Sequence, residues 1–207
     1  MIKFVISYNR YVSTITIIFM DQLTLGLLDK SKVKTIAENS TGFSIDLILK
    51  IGRDDISQLI EVSEELVQKF GPMARLTKSN ITKYFNKETL PFVARQNGKI
   101  IGYIIGVPLE YFKNESWAHF DVNLGSQNTI YTYAFVISSR FHKKGGYAKT
   151  LKRVYINSAR KQKFTFVTGH TELGIAKKFS PETETVKIFS EWYGCKVSFE
   201  YYRRPLN

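Results

Sequence analysis

The chain has 207 residues, 43% of them hydrophobic, and its 30 lysines and arginines against 18 aspartates and glutamates give a formal charge of +12. That length can bury one substantial core, so one main domain with an extension is expected rather than two domains or a peptide-like tail. The positive charge draws polyanions such as nucleic acid, an anionic membrane or a phosphorylated cofactor, and the single cysteine, Cys195, excludes an internal disulfide and points to a reducing, cytoplasmic setting.

Residues 1–41 read as an extension. Apolar and polar residues alternate over 1–7 and 12–19 around Tyr8-Asn9-Arg10-Tyr11, which predicts a hairpin. The apolar stretch over 11–28 contains Asp21 and Gln22 and is short for a membrane span, so no membrane partner is expected. Such an extension can cover a sheet edge, mediate a homodimer or shape an acceptor site, and covering an edge is the plainest of these.

From Phe43 a strand runs to Ile51. Residues 54–70 then place Ile56, Leu59, Ile60, Leu66, Val67 and Phe70 on one helical face, with Ser63 as a small polar interruption, until Gly71-Pro72 stops the helix. Residues 77–85 predict a short helix. Residues 91–95 and 99–107 flank Asn97-Gly98, a hairpin-turn pair, and read as two antiparallel strands. Residues 108–128 form a long connection in which Tyr111, Trp117 and Phe120 favour ordered packing. Its Glu110, Glu115 and Asp121 read as solvated loop charges, with a site for a cationic acceptor as the alternative. A strand over 130–137, a helix over 148–160 with Leu151, Val154 and Tyr155 inward, a strand over 164–168, a helix over 183–193 closed by Gly194, and a strand over 197–202 complete a mixed α/β (α+β) order.

Between the strand over 130–137 and its helix lies Lys143-Lys144-Gly145-Gly146-Tyr147-Ala148. A glycine pair lets the backbone approach a ligand closely, and the amides that open a helix point at an anion. No Asp or Glu occurs between Asp121 and Glu172, while Arg140, Lys143, Lys144, Lys149, Lys152, Arg153, Arg160, Lys161 and Lys163 fall inside that gap. The local field at the turn is therefore positive. His119, His142 and His170 are far apart and lack metal-ligand spacing, so no metal is expected.

This order of elements, together with the turn, resembles the GNAT superfamily of acyl-CoA-dependent N-acyltransferases over residues 43–204. The family's signature is Gln or Arg, two residues, Gly, one residue, then Gly or Ala; here Lys143 opens it and Ala148 closes it. The upstream segment Ile137-Ser138-Ser139-Arg140-Phe141-His142 fits instead with His142 in first place, so the turn carries one extra residue. A second likeness runs from Val186 to Cys195, where Ser190 stands in the place of a tyrosine that protonates the departing thiolate in many members.

The resemblance implies a mostly antiparallel central sheet flanked by helices, with residues 42–207 as the acyltransferase-like domain and acetyl-CoA as co-substrate. It implies that the amides of Lys144, Gly145, Gly146, Tyr147, Ala148 and Lys149 hold the pyrophosphate, with Lys143, Lys144 and Lys149 adding charge, while His142 reads equally as a turn residue or a phosphate contact. The strand end at Phe135, Val136, Ile137 and Ser138 would pair with the pantetheine arm and polarise the thioester carbonyl. An unidentified primary amine, small or on a protein, would attack directly, and Tyr133 is the side chain on that strand expected to contribute through its hydroxyl or a bound water. Packing is the plainer reading for Tyr131 and Tyr133, as it is for Trp192, Tyr193 and Cys195. Two other readings remain: an acyl-CoA sensor without turnover, from Ser190 and the irregular turn, and a basic nucleic-acid-binding module, from the charge.

Overall fold

The computed structural model describes residues 28–142, 145–192, 194 and 197–206. The hairpin expected within residues 1–27 lies outside them, as do Lys143, Lys144, Tyr193 and Cys195. In chain order the strands are β1 (Lys32–Glu38), β2 (Phe43–Lys50), β3 (Leu90–Gln96), β4 (Lys99–Pro108), β5 (Thr129–Ile137), β6 (Phe166–Glu172), β7 (Glu184–Phe189) and β8 (Phe199–Pro205). The helices are α1 (Arg53–Phe70), α2 (Lys78–Tyr84) and α3 (Tyr147–Lys161).

One sheet runs β1-β2-β3-β4-β5-β6-β8-β7, antiparallel at every junction except β5 with β6. Asn97 and Gly98 both take positive φ, 50° and 78°, as a two-residue hairpin turn requires. β1, which belongs to the 1–41 segment, pairs along the outer edge of β2. Two apolar cores lie on the two faces. On one, Ile56, Leu59 and Val62 of α1 and Ile81 of α2 pack with Ile48, Val93, Tyr103 and Ile105; on the other, Leu151, Tyr155 and Ala159 of α3 pack with Phe92, Ile104 and Ile130. Because both faces of β4 are covered, its sequence is a continuous apolar run rather than an alternation.

The polar break in α1 is satisfied in place. Ser63 is fully buried, donates to the Ile60 carbonyl at 2.7 Å and accepts from the Leu76 amide at 3.1 Å, which fixes the chain that follows the helix. Thr77 caps α2 in a reciprocal pair with Asn80. Among the described residues, no helix is long and apolar enough to cross a membrane.

Three expectations are corrected. The helix over 183–193 is instead strand β7, paired from Glu184 with Arg203 to Phe189 with Phe199. Thr185, Val186 and Ile188 are β-branched and suit a pleated strand, and Arg203 closes an ion pair to Glu184 across the junction at 2.5 Å. Ser190 is therefore an exposed residue after a strand, and no helix carries it to a cofactor. The strand over 164–168 runs instead from Phe166 to Glu172, which puts His170 in the sheet. Asp121 is no solvated loop charge: its carboxylate is buried, accepting from Arg203 and from the Tyr201 hydroxyl, each at 2.8 Å.

Candidate active site

β5 and β6 are paired only from Thr129 with Phe166 to Thr132 with Gly169. Beyond that point β6 continues against β8 and β5 continues against β4, so the two parallel strands part. On its other edge β5 carries a bulge: Ala134 opposes Ile105 and Thr132 opposes Gly106, with Tyr133 between them as the extra residue. A bulge sharpens local twist and shifts the alternation of faces. Tyr131 before it, the bulged Tyr133, and Ala134 and Val136 after it all reach the α1–α2 face, while Ile137 joins the α3 core. Among the described residues, no strand pairs with the β6-facing edge of β5 from Tyr133 onward.

A cavity of about 560 Å³ fills the gap and reaches both faces of the sheet. Its wall on the α1–α2 face is aromatic. Trp117 is buried with its ring centroid 4.8 Å from Tyr131, 5.2 Å from Phe112 and 5.0 Å from His170, and Tyr133 lies against Tyr84 at 4.2 Å. Trp192 stacks on His170 at 3.5 Å with planes 20° apart. His170 Nδ1 shares a 2.9 Å hydrogen bond with the Tyr131 hydroxyl, and its Nε2 is buried without a partner among the described residues. Burial pushes the imidazole down to about 3, so it is neutral at ordinary pH.

The wall on the α3 face is basic. Lys152 and Arg204 line it, beside a 3.0 Å contact between the hydroxyls of Tyr155 and Thr132. Burial, with a smaller contribution from Arg204, lowers the Lys152 pKa, and the ammonium lies over the Phe179 ring at 4.1 Å. Arg204 Nε is buried and has no partner among the described residues.

The glycine turn lies at the end of β5. Gly145 and Gly146 take φ of 58° and 64°, and a Cβ at Gly145 would stand 2.6 Å from the Tyr147 ring. The Gly146 carbonyl accepts the first intrahelical bond of α3, from Thr150 at 2.9 Å. Tyr147 is anchored to the sheet, its ring on Phe43 and its hydroxyl donating to Gln96 at 3.1 Å. Ala148 and Lys149 are exposed on the first turn. Glu65 of α1 caps the segment leading into this turn, accepting from the Ser139 amide and hydroxyl at 2.9 Å each and from the Ser138 hydroxyl at 3.4 Å. The Ser139 amide bond is the main reason its carboxyl lies below the ordinary range.

The structure thus divides the residues singled out in the sequence. Tyr133 and Phe135 line the large cavity; Ile137, His142, Gly146, Tyr147, Ala148 and Lys149 line a smaller one of about 410 Å³ at the turn. Val136 is a core side chain. His142 turns back on the strand, its Nε2 2.7 Å from the Ile137 carbonyl. Sequence reasoning missed Tyr84, Lys152, His170 and Arg204 as lining residues, and it assigned Trp117 only to packing. Alternation through Thr168, His170 and Glu172 was the available signal for His170. Among the described residues, no cluster of three or more His, Cys, Asp or Glu is placed to hold a metal.

Neither a family model nor a curated protein matches the sequence. Solved structures do match the fold. The ribosomal-protein-S18-alanine N-acetyltransferase of Escherichia coli superposes with a TM-score of 0.55 at 12% identity, over 80% of this chain and 94% of that one. The structure of yncA from Salmonella typhimurium with its cofactor acetyl-CoA gives 0.57 at 13%, over 80% and 95%. An acetyltransferase of the GNAT family from Staphylococcus aureus Mu50 gives 0.53 at 15%, over 80% and 99%. The chain therefore has the GNAT fold.

Proposed function

We propose that the protein is an acyl-CoA-dependent N-acyltransferase that moves an acetyl group from acetyl-CoA to a primary amine by direct attack. The observation that carries this reading is the parting of β5 from β6 beyond Thr132 and Gly169, where a cavity open to both faces meets a strand edge with no strand partner among the described residues, on the strand that precedes the glycine turn and a helix N-terminus. The residues present fit the group. The edge from Tyr133 to Ile137 offers amide partners, Lys152 and Arg204 make the α3-side wall basic, and the α3 amides with the exposed Lys149 suit phosphates.

When bound, acetyl-CoA supplies an activated acyl carbon and a thiolate leaving group. The residues of this chain do the positioning. A β5 amide near Phe135, beyond the end of the pairing with β6, would polarise the acyl carbonyl. Transfer joins the amine nitrogen to the acyl carbon as the C–S bond breaks; the amine loses a proton and the sulfur gains one. Tyr133 lines the cavity between Tyr84 and Phe112, which supports it as the group that would relay that proton through its hydroxyl or a water.

The test is thermal stabilisation by CoA and acetyl-CoA followed by CoA release with an amine panel. A ligand that binds only the folded chain raises its melting temperature. Replacing both Gly145 and Gly146 by alanine should abolish the shift. No shift with the native chain at millimolar ligand sinks the reading, and a shift without CoA release reduces it to an acyl-CoA sensor.

A further inference from the structure

The cavity is chemically two-sided. Of the charged side chains that line it, the carboxylates are Glu115 and Glu172, and the cations are Lys152 and Arg204. His170 and Glu172 alternate on the same face of β6, and Glu115 opens the short helical turn that carries Trp117, so both carboxylates belong with the aromatic wall. Lys152 projects from α3 on the opposite face. A cation is drawn to one mouth and an anion to the other.

His170 lines the aromatic wall, its Nδ1 engaged with the Tyr131 hydroxyl at 2.9 Å. Around it stand Trp117, Trp192 and Tyr131, with Tyr84 and Tyr133 stacked further along the wall. Ring faces bind ring edges and ammonium groups alike. Neither Lys83, 5.0 Å from the Tyr84 centroid, nor Lys187, 4.7 Å from that of Phe120, lines the cavity.

Resting on the acyltransferase reading, we infer that the aromatic mouth is the acceptor subsite and that it selects small primary amines bearing an aromatic group, of the arylalkylamine class. The ring packs among Trp117, Tyr133 and Tyr84, and the approaching ammonium is drawn by Glu115. An aliphatic amine forgoes the ring contacts.

The chain's two tryptophans, Trp117 and Trp192, both line the cavity, so occupancy can be read by intrinsic fluorescence without cofactor or turnover. The full chain is titrated with 2-phenylethylamine, n-butylamine, 2-phenylethanol and an alanyl tripeptide. Half-saturation by 2-phenylethylamine is expected at a concentration about tenfold below that for butylamine. Glu115→Gln, at an exposed position, should weaken 2-phenylethylamine about threefold and leave 2-phenylethanol unchanged. Tyr84→Leu should weaken both aromatic probes while the melting temperature confirms a folded chain. Equal midpoints for the aryl and alkyl amines, or tighter binding of the tripeptide, overturn the inference. If acetyl-CoA stabilises the chain but 2-phenylethylamine produces no saturable change, the subsite assignment falls and the acyltransferase reading stands. If the amine binds with the expected preference and acetyl-CoA does not stabilise, the subsite stands as an amine site and the transferase reading falls.

Discussion

Buried charge near the β1 edge of the sheet and buried polar atoms at the β5–β6 gap follow opposite rules. Arg95 of β3 donates from Nε to Asp46 at 2.9 Å and from both terminal nitrogens to the two oxygens of Asp55, at 2.8 and 2.7 Å. Thr35 fills a further position on Asp46 at 2.7 Å, so one network ties β1, β2, β3 and α1. Both aspartates raise the Arg95 pKa against the opposing effect of burial. At the gap, His170 Nε2 and Arg204 Nε have no partner among the described residues. An unsatisfied buried polar group costs about 1–3 kcal/mol. The Arg95 network ties the fold together, while these two atoms at the gap lie outside any such network among the described residues.

Arg95→Met attacks the satisfied side of that contrast and should cost the most. It leaves two buried carboxylates facing each other's field and should destabilise the chain by about 3–5 kcal/mol in urea denaturation. A loss below about 1 kcal/mol would show that the network contributes little and remove half of the comparison.

The next effect is a pH dependence. His170 is held down near 3 against an ordinary value of 6.5, so between those values the unfolded chain binds more protons than the folded one. Stability from this group is present above pH 6.5 and is lost as pH falls toward 3, at up to about 1.4 kcal/mol per pH unit. His170→Gln should flatten that part of the profile; an unchanged slope from pH 6.5 to 4.5 would mean that the imidazole is not the group titrating.

The smallest stability effect is expected at Arg204. Arg204→Gln removes an unsatisfied donor and should change folding free energy by less than about 1 kcal/mol, while CoA affinity, read from the concentration dependence of the melting temperature, falls about tenfold. A loss of stability as large as that of Arg95→Met, with no change in CoA affinity, would make Arg204 a structural residue and erase the distinction.

Much of this architecture is legible in short windows of sequence. Asn97-Gly98 specifies a hairpin because both residues accept positive φ, and α1 is visible because its apolar residues recur at helical spacing over five turns. The glycine turn stands out for the same reason. β7 does not, since Thr185, Val186, Ile188 and Phe189 satisfy short helical and strand spacings alike, and pairing with β8 decides between them. The sequence also made Asp121 look solvated, because its partners Tyr201 and Arg203 lie 80 and 82 residues away.

The site shows the same division more sharply. Composition and local pattern determined that a basic, glycine-bearing turn follows a strand, and that aromatics crowd the connection before it. That Tyr133 is a bulge residue depends on β4, that β5 parts from β6 depends on where their pairing ends, and that His170 meets Trp117 and Trp192 depends on three segments folding onto one face. Conformational preference is a property of neighbouring residues, so sequence reveals it. A gap between two strands is a property of pairing across the chain, and only the assembled sheet decides where it opens.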